Sequence, residues 1–218
     1  MKFHEFGDKN FPHILLIHGG GNSWWNYLRQ ARMLSDEYHV ILPTLDGHGE
    51  EYQRDYISTE YSAQIIMDYI KDNCGGKLFA LGGVSLGGQI AMELLSLDDN
   101  IAQKAIIDGS ICIPQHKLAR ISIVIVKLFG KLMFSKSVSK MQLNLMKKIY
   151  PKMAYPKEIE NYYMEDMPRF PMKTLVTMYR LVTMYQTYMG GYTLKNAITE
   201  SKAQVLYIYG EKEMDCVK

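Results

Sequence analysis

The stretch from Leu78 to Ala91 constrains the fold of this chain more than any other. A short apolar run meets a cluster of glycines around one serine, and a helical pattern follows directly. Residues 83–87 read Gly-Val-Ser-Leu-Gly and fit the G-x-S-x-G pattern, in which a sharp strand-to-helix turn lifts a serine hydroxyl over a sheet. In such a turn a side chain at either glycine would collide with neighbouring backbone. The stretch predicts a nucleophile at Ser85, with a purely structural turn as the alternative.

Apolar runs and helical patterns alternate through the first half of the chain. The apolar runs are continuous and end in turns, which is typical of strands buried on both faces. Such alternation predicts an α/β fold, with a mostly parallel, doubly wound sheet covered by helices. Besides the run before Ser85 and the helix after it, the predicted strands lie at 13–17, 38–42 and 104–107, and the predicted helices at 23–34 and 60–72.

Glycines and polar residues follow each of these predicted strands. They form the segments 18–21 and 46–49, together with Ser85 and Asp108. An open parallel sheet binds its ligand in a crevice at the carboxyl ends of the strands. We therefore expect these segments to converge on Ser85.

The alternation stops from Cys112 to about Ser201. This block is rich in methionine and tyrosine, and it predicts four helices, at about 116–133, 138–149, 156–166 and 172–189. A strand pattern returns at Val205–Tyr209. Because the chain comes back to the same sheet, we expect a core of residues 1–111 and 202–218, with residues 112–201 inserted as a helical lid.

Composition excludes several classes of function. The 218 residues are 47% hydrophobic and carry a net charge of +2, which gives no overall basic field for nucleic acid. The most apolar segment, 118–134, contains three cations and is too short to span a bilayer comfortably, and no secretory signal is evident. Three cysteines without metal-ligand spacing indicate free thiols in the cytoplasm and no metal site. No cofactor is expected.

A serine hydroxyl needs a base to take its proton and donors to hold the resulting oxyanion. The backbone N–H of Leu86, next to Ser85 at a helix start, is the first expected donor. The second is expected in the glycine-rich loop after the first core strand, at Gly20 or Gly21. Of the tryptophans that follow, one is expected in the core and one, Trp24, beside the acyl pocket, which Gly21 is also expected to line.

With these motifs the chain resembles α/β-hydrolase-fold enzymes of the serine esterase and lipase type. The resemblance rests on residues 14–21, 46–49, 83–87 and 205–213, which leaves only the lid uncovered. It implies that Ser85 is the nucleophile of a catalytic triad and that Gly20 and Leu86 form the oxyanion hole. It places the triad acid after the strand ending at Gly210, where Glu213 is the first candidate and Asp215 the second. Asp108, after the preceding strand, is the third candidate.

The histidines depart from that family's pattern. The triad runs serine, acid, histidine along the chain, yet no histidine follows Gly210. His18 and His48 occupy positions that are structural in the family, and His116 would make an irregular order. We expect that the sequence stops before the histidine-bearing loop.

Two functions of different class follow. The first is a serine hydrolase that cleaves a small carboxylic ester or thioester through an acyl-serine intermediate, with acyl transfer as a variant. The alternative is a non-catalytic protein of the same fold that binds an apolar ligand or a partner. In either case the Val205–Tyr209 strand would form an exposed apolar edge, at which two chains could pair into a dimer.

Overall fold

Six strands form a single sheet in the computed structural model, which describes residues 1–111, 116–149, 151, 155–184 and 201–212. The strands are β1 (Lys2–Phe6), β2 (His13–Ile17), β3 (His39–Thr44), β4 (Leu78–Val84), β5 (Ala102–Asp108) and β6 (Gln204–Ile208). Their order across the sheet is β1-β3-β2-β4-β5-β6. Every pair is parallel except β1 with β3. The predicted mostly parallel α/β sheet is confirmed.

β1 is the one strand that the sequence patterns did not predict. Its five residues mix charged and aromatic side chains, so they lack the continuous apolar run of a strand buried on both faces. Pairing with β3 determines its structure, from Lys2 opposite Thr44 to Phe6 opposite Val40. An edge strand of this kind has one exposed side and therefore a weak sequence signal.

Seven α-helices are described: α1 (Leu28–Leu34), α2 (Thr59–Asn73), α3 (Leu86–Leu97), α4 (His116–Met133), α5 (Lys136–Ile149), α6 (Lys157–Asp166) and α7 (Met172–Met184). The helix predicted to begin at Ser23 is instead a short 3₁₀ helix, Trp24–Tyr27, followed by α1. Ser23 makes no capping hydrogen bond, because its hydroxyl lies 3.3 Å from that of Thr44. None of the described helices is long and apolar enough to cross a bilayer.

The two faces of the sheet are covered unequally. Helices α2 and α3 cover one face with a large buried cluster that includes Ile66, Leu81 and Ile90. On the other face α1 packs over β2 and β3. Beyond α1 the side chains of Ile106, Leu206 and Ile208 remain 42–55% exposed among the described residues. β6 is the edge of the described sheet, and the pairing of two chains along it stays a prediction.

Helices α4 to α7, which we call the insertion, lie between β5 and β6 in the chain. The predicted helices are present, although the fourth is described only as far as Met184. Polar contacts fasten the insertion to the core. The indole N–H of Trp25 donates to Asp166 at 2.6 Å, and Arg32 donates two hydrogen bonds to Glu158. The insertion is thereby held over the carboxyl ends of the strands.

A carboxylic acid is buried under the sheet without a partner. Glu93 of α3 is fully buried, and neither carboxyl oxygen has a hydrogen-bond partner among the described residues. Burial, with a smaller contribution from the charge of Glu60, raises the pKa of Glu93 to about 7. The folded chain therefore keeps this proton at a pH where an ordinary glutamate has lost it.

We predict that Glu93→Gln stabilises the protein at alkaline pH. Since the folded pKa lies above the ordinary value of 4.5, the wild type loses stability as pH rises from about 4.5 to 7 and does not regain it above. The free energy of unfolding of the variant should exceed that of the wild type by about 1–3 kcal/mol at pH 8 and by little at pH 4.5. Urea unfolding at both pH values measures this. The exposed Glu37→Gln serves as control, and equal pH dependence in wild type and Glu93→Gln would contradict the prediction.

Candidate functional site

Ser85 occupies a strained turn between β4 and α3. Its backbone has φ 53° and ψ −114°, and it is the one non-glycine residue with positive φ among those described. Its N–H donates to the carbonyl of Asp108 at 2.8 Å, and its own carbonyl accepts from the Ser110 hydroxyl at 2.9 Å. A conformation this costly, on the order of 1–3 kcal/mol, persists only where surrounding contacts enforce it. The turn leaves Ser85 exposed at the carboxyl edge of the sheet.

The glycines around Ser85 are required by close backbone contacts. A Cβ on Gly83 would overlap the backbone of Gly87, and a Cβ on Gly87 would overlap the carbonyls of Ile17 and His18. These neighbours are main-chain atoms of β2 and α3, which cannot move aside as a flexible side chain could. The small residues let α3 begin directly against the end of β2.

The close approach of α3 to the end of β2 also brings the predicted oxyanion residues together. A Cβ on Gly19 would lie 3.6 Å from Ser85 Cβ, and one on Gly20 would lie 3.8 Å from Leu86 Cβ. Leu86 is the first residue of α3, so its N–H has no carbonyl acceptor within the helix. Gly20 thus lies close to Leu86, and Gly19 lies close to Ser85, whereas the role of Gly20 and Leu86 as an oxyanion hole stays a prediction.

Two buried histidines brace the loops beside Ser85. Nδ1 of His18 donates to the carbonyl of Gly19 at 2.8 Å, and its Nε2 accepts from the N–H of Leu45 at 3.1 Å. Burial, with the neighbouring His48, lowers the pKa of His18 to about 3, and burial lowers that of His48 to about 4. Both rings are neutral at pH 7. His18 uses both nitrogens to join the ends of β2 and β3, as its predicted structural role requires.

Side chains of the insertion cover the glycine loop. A Cβ on Gly20 would overlap the terminal methyl of Met178, and a Cβ on Gly21 would lie 3.7 Å from the Phe134 ring. Phe134 in turn packs against Phe170, whose ring centre lies 5.1 Å from that of His48. The surface above the loop is therefore thioether and aromatic.

The two tryptophans lie away from this apolar cover. Trp25 is fully buried, as expected for one of the pair. Trp24 is half-buried and stacks on His4 of β1 at 4.2 Å, with Tyr162 of α6 at 5.2 Å on another side. Its described ring contacts are thus with β1 and α6, and its role in the acyl pocket stays a prediction.

The candidate acids are placed only in part. Asp108 ends β5 opposite Val84, next to Ser85 in the sheet. Glu213 and Asp215 lie outside the described residues, as does the side chain of His116. β6 ends at Ile208, which pairs with Asp108, and both acids follow this strand in the chain.

The remaining histidines are occupied elsewhere. His4 bonds to Glu50, and His13 and His39 contact each other at 2.9 Å near the amino end of β2. Of the five histidines whose side chains are described, none has a hydrogen bond to Ser85. In the same part of the chain no cluster of histidine, cysteine and carboxylate side chains could hold a metal ion.

Two positioning residues were missed by sequence reasoning. The Ser110 hydroxyl supports the Ser85 carbonyl, and the hydroxyl of Tyr207 donates to the Ser110 carbonyl. A Cβ on Gly88 would overlap the Ser110 hydroxyl, so that hydroxyl fills the space beside the helix start. A polar Asp-Gly-Ser sequence at a strand end was a usable signal, but nothing in it indicates which backbone atom the serine contacts.

Comparison with known proteins shows one family. A family model described as alpha/beta hydrolase fold matches residues 12–214. An AB hydrolase superfamily protein of Gibberella zeae is 30% identical over 102 residues, which cover 44% of this chain and 34% of the relative. Lipase 1 of Psychrobacter immobilis is 33% identical over 96 residues, covering 42% and 29%. The chain matches about a third of the length of these curated relatives.

Solved structures agree in fold. A carboxylesterase structure from Nitrososphaera gargenis superposes with a TM-score of 0.72 over 97% of this chain and 76% of that one. The sequence identity of this pair is 15%, so the similarity concerns the fold.

We predict that Gly87→Ala destabilises the protein strongly. The added methyl would overlap two main-chain carbonyls, and we expect the free energy of unfolding to fall by about 2–4 kcal/mol. Urea unfolding measures this. Gly20→Ala is the matched control, because its methyl meets only the movable end of Met178 and should cost clearly less. Similar losses of unfolding free energy in both variants would show that the contact of Gly87 with the end of β2 is not especially tight.

Proposed function

The chain belongs to the alpha/beta hydrolase fold family, and from this premise we propose that it is a serine hydrolase that cleaves a carboxylic ester or thioester. The observation that carries the proposal is the strained, exposed Ser85, with Gly19 close to it and Gly20 close to the neighbouring Leu86. Strain at a single exposed residue, maintained by tight packing around it, is typical of a functional site.

In the proposed reaction Ser85 Oγ attacks the carbonyl carbon of the ester. A base accepts the serine proton, and the backbone N–H groups of Leu86 and Gly20 stabilise the oxyanion of the tetrahedral intermediate. Leu86 lies at the positive end of the dipole of α3, which favours that negative charge. The intermediate expels the alcohol or thiol, which leaves with the proton from the base. Water then hydrolyses the acyl-serine, and Ser85 regains its proton as the acid is released. The chemistry uses no metal or cofactor.

In this proposal the base and the preferred acid, Glu213, lie outside the described side chains. The buried rings of His18 and His48 are neutral and bond to backbone groups, and neither has a hydrogen bond to Ser85 among the described residues. We infer that the base is a histidine other than these two, and His116 is the first candidate to test. Glu213 is the preferred acid because it follows β6 where the family resemblance places it, with Asp215 and Asp108 as alternatives.

The apolar cover of the loop favours a substrate with an apolar acyl group. Met178 and Phe134 lie over Gly20 and Gly21, and a thioether side chain adapts readily to ligands of different shape. Two similar proteins carry the names lipase and carboxylesterase. An aliphatic ester of small size is therefore the first substrate to test, with the insertion acting as a lid over it.

One second candidate is favoured because none of the five histidines with described side chains has a hydrogen bond to Ser85. If no base reaches Ser85, the same crevice would bind an apolar ligand without cleaving it. Measuring turnover separates the two functions, because a binding protein retains the ligand unchanged.

We predict that Ser85→Ala removes ester hydrolysis. Loss of the nucleophile should lower kcat by about 10³-fold or more, and a fluorophosphonate probe should no longer label the protein. The assay uses p-nitrophenyl butyrate and the whole gene product. Ser137→Ala, at an exposed position of α5, should retain wild-type rate and labelling. An active Ser85→Ala enzyme would overturn the assignment of the nucleophile.

We also predict that the triad acid can be identified by amide substitution. Glu213→Gln should lower kcat by about 10²-fold or more, whereas Asp215→Asn and Asp108→Asn should have smaller effects. The same assay with His116→Ala tests the base: a loss comparable to that of Ser85→Ala assigns it to His116, and full activity assigns it to another histidine. If Asp215→Asn is the most damaging of the three substitutions, the acid is Asp215.

A further inference from the structure

One side of α4 exposes a continuous apolar surface. Leu128, Leu132 and Phe129 are 70%, 62% and 54% exposed. The opposite side is buried, because Val126 and Gly130 pack against α7. The exposed apolar residues, which we call the outer face of α4, are Ile121, Val124, Ile125, Leu128, Phe129, Leu132 and Met133.

Cations line one border of this outer face. Arg120, Lys127 and Lys131 are all exposed, and their spacing of seven and four residues places them along one side of the helix. That side adjoins the outer face at Val124. An exposed helix of a soluble core normally turns charged residues to solvent and apolar ones inward. α4 differs, since aliphatic side chains occupy most of its solvent side and charges only its border.

The surrounding sequence has charge of one sign only. Ten of the 25 lysines and arginines lie in residues 109–157, and none of the 23 acidic residues does. The other 15 cations are outnumbered by those acids, so the positive charge is concentrated in this block. Within it, Lys147 is paired with Glu160 of α6. The outer face is thus an apolar surface within a cationic environment.

We propose that the outer face of α4 docks on an anionic lipid surface. An amphipathic helix with aliphatic and aromatic side chains on one face and bordering lysines lies in the plane of a membrane interface. The apolar side chains enter the acyl boundary while the cations remain at the anionic headgroups. Charge complementarity between these cations and anionic headgroups favours a lipid surface as the occupant. A purely apolar contact would not require the bordering cations.

The outer face lies on a helix that also contacts the cover of the crevice. Phe134 follows α4 directly and packs near Gly21, and the buried side of α4 rests on the helix that carries Met178. The outer face therefore belongs to the same helices that cover the glycine loop. The proposal does not depend on catalysis, and Ser85→Ala should bind vesicles as the wild type does.

Vesicle co-sedimentation tests the proposal. The whole gene product should bind vesicles of phosphatidylcholine with 30% phosphatidylserine and bind pure phosphatidylcholine at least about tenfold more weakly, and salt should reduce the difference. Lys127→Glu with Lys131→Glu should lower the partition coefficient on anionic vesicles by about 25-fold or more, since each cation contributes about fivefold. Leu128→Gln with Leu132→Gln, which keeps the charge, should lower it by about tenfold or more.

Matched controls distinguish docking through α4 from the effects of overall charge and of exposed apolar side chains elsewhere on the protein. Lys71→Glu with Lys77→Glu gives the same charge change on exposed positions outside the insertion, and Met33→Gln with Ile57→Gln removes exposed apolar groups there. Both controls should bind as the wild type does, and circular dichroism should show all variants folded. Absence of binding to anionic vesicles, or equal losses in variants and controls, would overturn the proposal.

A second copy of the chain is the competing occupant. If two outer faces pair, light scattering should show a dimer that Leu128→Gln with Leu132→Gln converts to a monomer, and vesicles should not bind. That result would also overturn the proposal.

Discussion

The first turn of α3 crosses the carboxyl end of β2 so closely that no side chain fits at Gly87, where a Cβ would overlap the carbonyls of Ile17 and His18. This contact places the start of the helix directly against the glycine loop. Ser85, at the end of β4, must then adopt a positive φ for the chain to enter α3. The strain at Ser85 and the closeness of Gly20 to Leu86 are therefore two consequences of one packing constraint.

Polar groups in the core maintain that constraint. His18 bonds to Gly19 on one side and to Leu45 on the other, and so ties the end of β2 to the end of β3. On the opposite side Ser110 supports the carbonyl of Ser85, and Tyr207 of β6 supports Ser110. Contacts from β3, β5 and β6 thus converge on one turn, which is how a local strain of this size is stabilised.

Local patterns account for what the sequence could predict. Short apolar runs indicate strands, so β2 to β6 were recognised, whereas the edge strand β1, with its mixed charged and aromatic residues, was not. The G-x-S-x-G turn at residues 83–87 and the glycine-rich loop at residues 18–21 are short motifs. Ser85, Gly20 and Leu86 could therefore be identified from their neighbours in the chain. Met178 lies more than 150 residues from Gly20, and no sequence pattern links the two. Such contacts follow from tertiary packing, which one sequence does not encode legibly.

The helix α4 shows how structure changes the meaning of an apolar segment. In the sequence, residues 118–134 raise only the question of a membrane span, which the three cations and the short length oppose. The structure shows which side of the helix is used for packing, namely the side of Val126 and Gly130 against α7. The remaining aliphatic side chains then have no protein partner in the described part of the chain. Because the cations adjoin those side chains along one border, the segment fits a helix that lies on a lipid surface better than one that crosses it.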